Sequence, residues 1–179
     1  MGNQEQPLHL AVSACLLGQK VRYDGAHKSA ALLRHWPVEW HPICPEVGIG
    51  LGVPRPPIEQ RYINNQLGIV EVGNWQRCHH DALAGYANQM VGYIKEQRIS
   101  GYVLMQKSPS CALQSSTLHS GAEVLRTNAE GYFVATLRQR LTHLPMIEEA
   151  ALHNAKARHG FLHQARRYAA QTYSLAASV

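Results

Sequence analysis

Apolar runs alternate with helical patterns along most of this 179-residue chain. Segments 8–14 and 102–106 are mainly apolar, which is typical of buried strands, and 39–43 is a further strand candidate. The clearest helix is predicted to begin at a cap formed by Asp81. Its apolar residues recur at three- and four-residue spacing, and Ser100-Gly101 ends the pattern.

The remaining segments extend this alternation. Further helices are predicted over 29–36, 132–141 and 154–172, a β-ribbon with an Asn64-Asn65 turn over 61–73, and a short strand over 144–147. Strands that alternate with helices predict an α/β fold, in which a layered, mainly parallel sheet is flanked by helices. The chain length fits a single domain.

Composition excludes several classes of protein. Hydrophobic residues make up 45% of the chain and charged residues 16%, which argues against disorder, a coiled coil or a fibre. No apolar run approaches the 18 or so residues that a membrane span needs. The first residues lack a basic region followed by an apolar block, so no secretory signal is predicted. We therefore expect a soluble, cytoplasmic protein without a membrane partner.

The net charge of +5 permits a polyanionic partner but does not demand one. Basic residues dominate the segment between 137 and 168, which contains Arg138, Arg140, Lys156, Arg158, Arg166 and Arg167 against only Glu148 and Glu149. They form either a solvated helical face or a surface for the phosphates of RNA.

Three of the four cysteines share a position relative to the predicted strands. Cys15, Cys44 and Cys111 each follow a strand candidate and each opens a loop. In a parallel sheet the carboxyl ends of the strands lie along one edge, where ligands bind, so the three thiols are expected to meet there. Their spacing fits neither zinc-finger nor ferredoxin templates. A metal site and three small buried side chains therefore remain as alternatives.

Two other features could carry chemistry. Cys78 with His79 and His80 is a possible second metal site, although adjacent histidines suit an exposed surface better. The glycines and prolines of 48–57 exclude regular structure there and suit a loop wrapped around a ligand.

The residues around the three cysteines resemble one family. The motifs, in order, are Val12-Ser13-Ala14-Cys15-Leu16-Leu17-Gly18, Val21-Arg22-Tyr23-Asp24-Gly25 with His27-Lys28, Cys44-Pro45-Glu46, Gly52-Val53-Pro54-Arg55-Pro56-Pro57 and Lys107-Ser108-Pro109-Ser110-Cys111. They are similar to those of the TudS-type thiouracil desulfidases. The similarity implies a desulfidase domain over 8–147, followed by a C-terminal helical extension over 148–179.

The resemblance implies a cofactor and an active site. Cys15, Cys44 and Cys111 match the ligands of a [4Fe-4S] cluster in which the fourth iron has no cysteine ligand. Glu46 matches the family's catalytic acid/base, and Ser108 matches the serine that assists it. On the residues alone, Glu46 could instead pair with Arg22 or Arg55, Ser108 could form a turn before Pro109, and zinc remains an alternative metal.

The implied reaction is the removal of sulfur from a thiolated pyrimidine, such as thiouracil or a thiouridine nucleotide, with replacement of C=S by C=O and release of sulfide. The substrate-binding candidates are Ser13, Arg22, Asp24, His27 and Lys28, some of which could instead hold the first loop. The alternatives are a tRNA thiouridine desulfidase and a non-catalytic cluster- or metal-binding protein. The oligomeric state is not predicted.

One residue departs from the family pattern. The family usually has glycine after the third cysteine, and this chain has Ala112. If that position required a positive φ or a close backbone approach, alanine would reshape the pocket.

Overall fold

The computed structural model describes residues 7–173. In chain order the elements are β1 (Leu8–Ser13), β2 (Val38–Ile43), α1 (Pro45–Gly48), β3 (Ile58–Ile63), β4 (Gln66–Glu71), β5 (Asn74–Cys78), α2 (His80–Glu96), β6 (Tyr102–Leu104), β7 (Ser116–Ser120), β8 (Glu123–Ala129), α3 (Tyr132–Arg140), β9 (Met146–Glu148) and α4 (Ala155–Tyr173). Short 3₁₀ helices cover Ala14–Leu17, Ala31–His35 and Glu149–His153.

A four-stranded sheet in the order β2-β1-β6-β9 forms the centre of the molecule, and all of its strands are parallel. This confirms the predicted α/β class and the layered, mainly parallel sheet. The segment predicted as a helix over 29–36 is one turn of 3₁₀ helix instead, because Leu33 is its one buried side chain and too little apolar surface is available to support a longer helix.

Helices cover both faces of the parallel sheet, which explains why its strands are mainly apolar. On one face, Ala11 and Tyr102 pack against Ala87 of α2 and Phe133 of α3. On the other face, side chains of β1 and β6 pack against α4, through Phe161 in particular. No helix within residues 7–173 is both long enough and apolar enough to span a membrane.

Helix α2 differs from its prediction at both ends. Its N-cap is His79, without a side-chain cap, and Asp81 lies in the first turn instead of capping the helix. There the carboxylate still faces the positive end of the helix dipole. The helix ends at Glu96, before Ser100, because Arg98 adopts a left-handed φ of 52° and reverses the chain.

A second, mixed sheet has the order β5-β4-β3-β7-β8. The predicted β-ribbon is its β3–β4 hairpin, and Asn64 and Asn65 adopt the positive φ values that a two-residue turn needs. Strands β5, β7 and β8 were not predicted. All five residues of β5 and six of the seven in β8 are exposed, so these edge strands lack a buried face that would give a periodic signal.

The second sheet supports the loop that carries Cys111. Gln60 of β3 is buried, and its Nε2 donates to the carbonyl oxygens of Pro109 and Glu130 and to Ser116 Oγ. Gly131 crosses directly over the same loop, where a Cβ atom would lie 2.4 Å from the carbonyl carbon and oxygen of Ser110. The loop is therefore held by a close backbone contact at Gly131, and this contact leaves no room for a side chain at position 131.

We expect Gly131→Ala to destabilise the protein by about 1–3 kcal/mol, because the new methyl group meets fixed backbone atoms. The backbone angles of Gly131, φ −64° and ψ 140°, are open to alanine, so the loss would come from the close approach alone. Urea denaturation measures the free energy of unfolding. Gly92→Ala is the matched control: it adds the same methyl group to α2 where nothing lies within 4 Å, and is expected to stabilise by up to about 1 kcal/mol. Equal stability of Gly131→Ala and the unmodified chain would contradict this account.

Candidate active site

A cavity of about 340 Å³ opens at the carboxyl edge of the parallel sheet. Cys15, Cys44 and Cys111 all line it, each reached from a different strand. The strands concerned, β1, β2 and β6, are neighbours in the sheet, so their loops meet at one edge. Glu46 and Ser108 line the same cavity.

Cys15 lies in the 3₁₀ helix that follows β1. Gly18 ends this helix with a left-handed φ of 90°, and its amide donates to the carbonyl oxygen of Cys15. The amide of Lys28 donates to the same oxygen at 3.0 Å. The loop from Gly18 to Lys28 thus returns to the cysteine and closes one side of the cavity.

Cys44 is the extended residue between β2 and α1. Pro45 occupies the first turn of α1, where its missing N–H costs no hydrogen bond. Because α1 begins immediately after the cysteine, Glu46 is turned into the cavity beside Cys44.

Cys111 is held by a tight turn that begins after Lys107, whose φ is 58°. Ser108 Oγ accepts the amide N–H groups of Ser110 and Cys111, at 3.2 and 2.9 Å. The carbonyl oxygen of Ser108 also accepts the amide of Ala112. In this arrangement the Ser108 side chain fixes the backbone around the third cysteine.

Burial keeps the three thiols protonated in the absence of a cation. It raises the pKa of Cys15 to about 11, with the charge of Cys44 adding to the effect. Burial also raises the pKa of Cys44. The pKa of Cys111 lies well above its ordinary value because of burial and the charges of Cys44, Glu46 and Cys15. Three thiolates would repel one another here, so the cavity suits ligation of positively charged metal.

A largely buried ion pair fixes Glu46. Arg55 donates from Nε and Nη2 to Glu46 Oε2, at 3.0 and 2.8 Å, and from Nη2 to the carbonyl oxygen of Val21. Ser110 Oγ donates to Glu46 Oε1 at 3.1 Å. The alternative pairing of Glu46 with Arg55 is thus present, while Arg22 pairs with Asp24 at 3.5 Å.

Ser110 was not among the predicted site residues, yet its hydroxyl, and not that of Ser108, contacts Glu46. The available signal was its place in the same short motif, one residue before Cys111. Arg55 was noted only as a possible partner of Glu46, yet it also lines the cavity.

The substrate-binding candidates divide into two groups. Ser13, Arg22 and Lys28 line the cavity, and Ser13 Oγ also accepts the amide of Met105. Asp24 and His27 do not line it. They stabilise the surrounding loop by accepting the amides of Ala26 and Ser29.

Ala112 does not have a positive φ. It is fully buried, and its carbonyl oxygen accepts the amide of Gly131 at 2.8 Å. The close backbone approach beside the third cysteine is made by Gly131, which is why alanine fits at position 112 without strain.

The Cys78-His79-His80 segment does not form a metal set. His79 lies 3.4 Å from Glu71, and His80 Nε2 lies 2.8 Å from Tyr132 Oη, so the two rings point to different partners. Cys78 is exposed, whereas both histidines are half-buried. The expectation of exposed histidines is wrong, because each ring packs against a neighbouring element.

The donor set at the cavity fits an iron–sulfur cluster better than a single ion. Thiolates are the ligands that such clusters prefer. A tetrahedral zinc ion with Zn–S bonds of about 2.3 Å would require sulfurs about 3.8 Å apart. Within residues 7–173, the three cysteines do not form a set whose ligand atoms all lie within 4.8 Å of one another. Sulfurs that are spread around a cavity can accommodate a group larger than one ion.

Comparisons with known proteins identify a family and a similar solved structure. The model of a family described as 2-thiouracil desulfurase matches residues 10–149. A Bacillus subtilis (strain 168) relative described as uncharacterized protein YbbK is 28% identical over 142 residues, which cover 73% of this chain and 89% of that protein. The solved structure of a [4Fe-4S]-dependent thiouracil desulfidase, TudS, is similar with a TM-score of 0.65 and 29% identity, and the match covers 81% of this chain and 93% of that one.

We expect Arg55→Gln to destabilise the protein by about 2–4 kcal/mol, because it leaves a largely buried carboxylate without its cation while the hydrogen bond from Ser110 remains. The Arg55 and Glu46 side chains are 6% and 13% exposed. The matched control is Asp24→Asn, which disrupts a pair that is 27% and 40% exposed and should therefore cost much less than Arg55→Gln. Urea denaturation under anaerobic, reducing conditions measures the free energy of unfolding of both variants. Similar decreases in the free energy of unfolding of the two variants would contradict a larger contribution from the Arg55–Glu46 pair.

Proposed function

Because the chain belongs to the 2-thiouracil desulfurase family and is an enzyme of this type, we propose that it removes sulfur from small thiolated pyrimidines at a [4Fe-4S] cluster. One observation carries the proposal: three thiols from separate strand ends line a single cavity together with the ion-paired carboxylate of Glu46. The products are the corresponding C=O pyrimidine and sulfide.

Cys15, Cys44 and Cys111 would hold the cluster. With three protein ligands, one iron of the bound cluster would have no protein ligand. This iron would supply a Lewis acid for the soft sulfur of a thiocarbonyl group. The raised pKa values of the three thiols mean that loading must release protons, so assembly of the cluster should be favoured by higher pH.

Glu46 is proposed as the acid/base. Its carboxylate takes a proton from the water that attacks the thiocarbonyl carbon, and the departing sulfur leaves with protons as hydrogen sulfide. Water supplies the oxygen of the product, and no electrons are transferred. Arg55 and Ser110 each hold one carboxylate oxygen, so the group is oriented before substrate binds.

Ser108 assists Glu46 in this proposal by shaping the loop. Its Oγ accepts the amides of Ser110 and Cys111, and Ser110 in turn donates to Glu46. Ser108 is therefore a positioning residue, whereas Ser110 directly contacts the proposed acid/base.

The remaining lining suits a flat ring with a polar edge. Val21, Ile43 and Met105 supply apolar surface that would exclude water from the reacting bond. Arg22 is half-buried and Lys28 exposed at the same cavity, so both can meet the carbonyl group of a base or the phosphate of a nucleotide. Ser13, Asp24 and His27 complete the proposed binding region, the last two by holding its loop.

A small substrate is favoured over tRNA. Of the basic residues between 137 and 168, Arg138 pairs with the carboxylate of Glu130. Fewer charges are therefore available for phosphates than the sequence alone indicates.

We expect Glu46→Gln to retain the cluster but to lose at least about 100-fold in sulfide release from 2-thiouracil or 4-thiouracil, because an amide cannot take the proton from water. Sulfide release is measured anaerobically, and the iron and acid-labile sulfide of each sample are counted, which also separates a cluster from zinc.

The matched control is Glu149→Gln. Glu149 is also a buried carboxylate near this edge of the sheet, but it does not line the cavity, so the variant should keep its turnover. Full activity of Glu46→Gln with a complete cluster would move the acid/base role to another residue. Undetectable desulfuration by the fully loaded, unmodified protein would instead favour the non-catalytic alternative.

We expect bulk tRNA to bind weakly, and neutralisation of Arg166 and Arg167 to glutamine to change that binding little. Both side chains are exposed on α4, and a true phosphate contact there would lower the log–log salt slope by about one to two units. Filter binding over a range of salt concentrations measures this slope. A sub-micromolar, salt-sensitive complex that weakens in the double variant would overturn the preference for a small substrate.

A further inference from the structure

Three potential metal ligands lie together on the neighbouring strands β1 and β2 of the parallel sheet. The register of β1 and β2 pairs His9 with Glu39 and Ala11 with His41, which puts His9, Glu39 and His41 on one face. One ligand atom from each side chain lies within 4.8 Å of the other two. Within residues 7–173 this is the one set of three such side chains that is so compact.

The two imidazoles already contact each other. His9 Nδ1 lies 3.0 Å from His41 Nε2, so one proton is held between the two nitrogens. A zinc ion with Zn–N bonds of about 2.0–2.1 Å in tetrahedral geometry needs its two nitrogens about 3.3 Å apart. Exchange of the proton for an ion therefore requires the two nitrogens to separate by a few tenths of an ångström and the two rings to turn toward the ion.

The surroundings of His41 favour its ligating form. Tyr93 Oη of α2 lies 3.0 Å from His41 Nδ1. This outer contact orients the ring and leaves Nε2 to face the other two residues.

The carboxylate completes the set and keeps it accessible. Glu39 Oε2 lies 3.8 Å from His9 Nε2, and the side chains of His9 and Glu39 are 31% and 55% exposed. An ion can therefore enter from solvent. His9 lies four residues before Ser13, or about 13 Å along β1, so the set is separate from the cysteine cavity.

We propose that His9, His41 and Glu39 form a mononuclear site for a divalent transition metal of the zinc class, with a fourth position open to water. Two imidazoles and one carboxylate are a ligand set that zinc accepts. The ion would tie the edge strand β2 to the central strand β1. This site does not depend on the proposed desulfuration.

The test is calorimetric titration of Zn²⁺ into the cluster-loaded protein under anaerobic conditions. The exposed Cys78 is first changed to serine to remove a competing thiol. We expect one equivalent to bind, and His9→Gln and His41→Gln each to weaken binding by at least about tenfold. Zn²⁺ should also raise the thermal unfolding midpoint of the parent protein but not that of His9→Gln.

The matched control is the double variant His159→Gln/His163→Gln. These exposed histidines lie four residues apart on α4 and are the obvious rival chelate. The proposal holds if the double variant binds Zn²⁺ like the parent and if the variants at His9 and His41 do not. If His41→Gln does not fold, His9→Gln decides the outcome, because that side chain is partly exposed. No bound zinc in the parent, or binding that is lost only in the His159/His163 variant, would overturn the proposal.

Discussion

The Arg55–Glu46 ion pair connects the three loops on which the cavity depends. Arg55 donates to Glu46, in the helix after Cys44, and to the carbonyl oxygen of Val21, in the loop after Cys15. Glu46 in turn accepts from Ser110, beside Cys111. One guanidinium and one carboxylate thus join the segments that bring the cysteines together. A buried pair of this kind is a specific constraint more than a source of stability, since its desolvation offsets much of its attraction.

This network holds together groups that would otherwise repel each other. Burial raises the pKa of each cavity thiol, and the charge of Glu46 contributes to the rise at Cys44 and Cys111. The fold keeps these groups around one cavity. It fixes them through backbone hydrogen bonds, such as those accepted by Ser108 Oγ, and through the close approach of Gly131. Such preorganisation of like-charged ligands is useful where a cationic group is to be bound.

The two sheets have different parts in this arrangement. The parallel sheet supplies the strand ends from which the cysteine loops start, as parallel α/β sheets commonly do for ligand sites. The mixed sheet supports the third loop from outside, through the buried Gln60 and its contact with Pro109. His9 and His41 lie on β1 and β2 of the parallel sheet, so the strand pair that carries these histidines also leads to the cavity.

The sequence by itself determined the features that rest on local pattern. Apolar runs identified β1 and β6, helical periodicity identified α2, and the positions of three cysteines after strand candidates led to one edge of a parallel sheet. Paired asparagines were enough to predict the β3–β4 turn, because a two-residue turn depends on its own φ angles. The short motifs around the cysteines identified the family, since they span most of the chain in order.

Only the tertiary structure decided the contacts between distant segments. It selected Arg55 over Arg22 as the partner of Glu46, and Ser110 over Ser108 as the hydroxyl that contacts it. It assigned the close approach to Gly131 instead of position 112, and it brought His9 to His41 through strand register. Strands β5 and β8 could not be predicted, because exposed edge strands carry no apolar alternation. Each of these outcomes depends on which segments pack together, and that is set by long-range burial that no local pattern records.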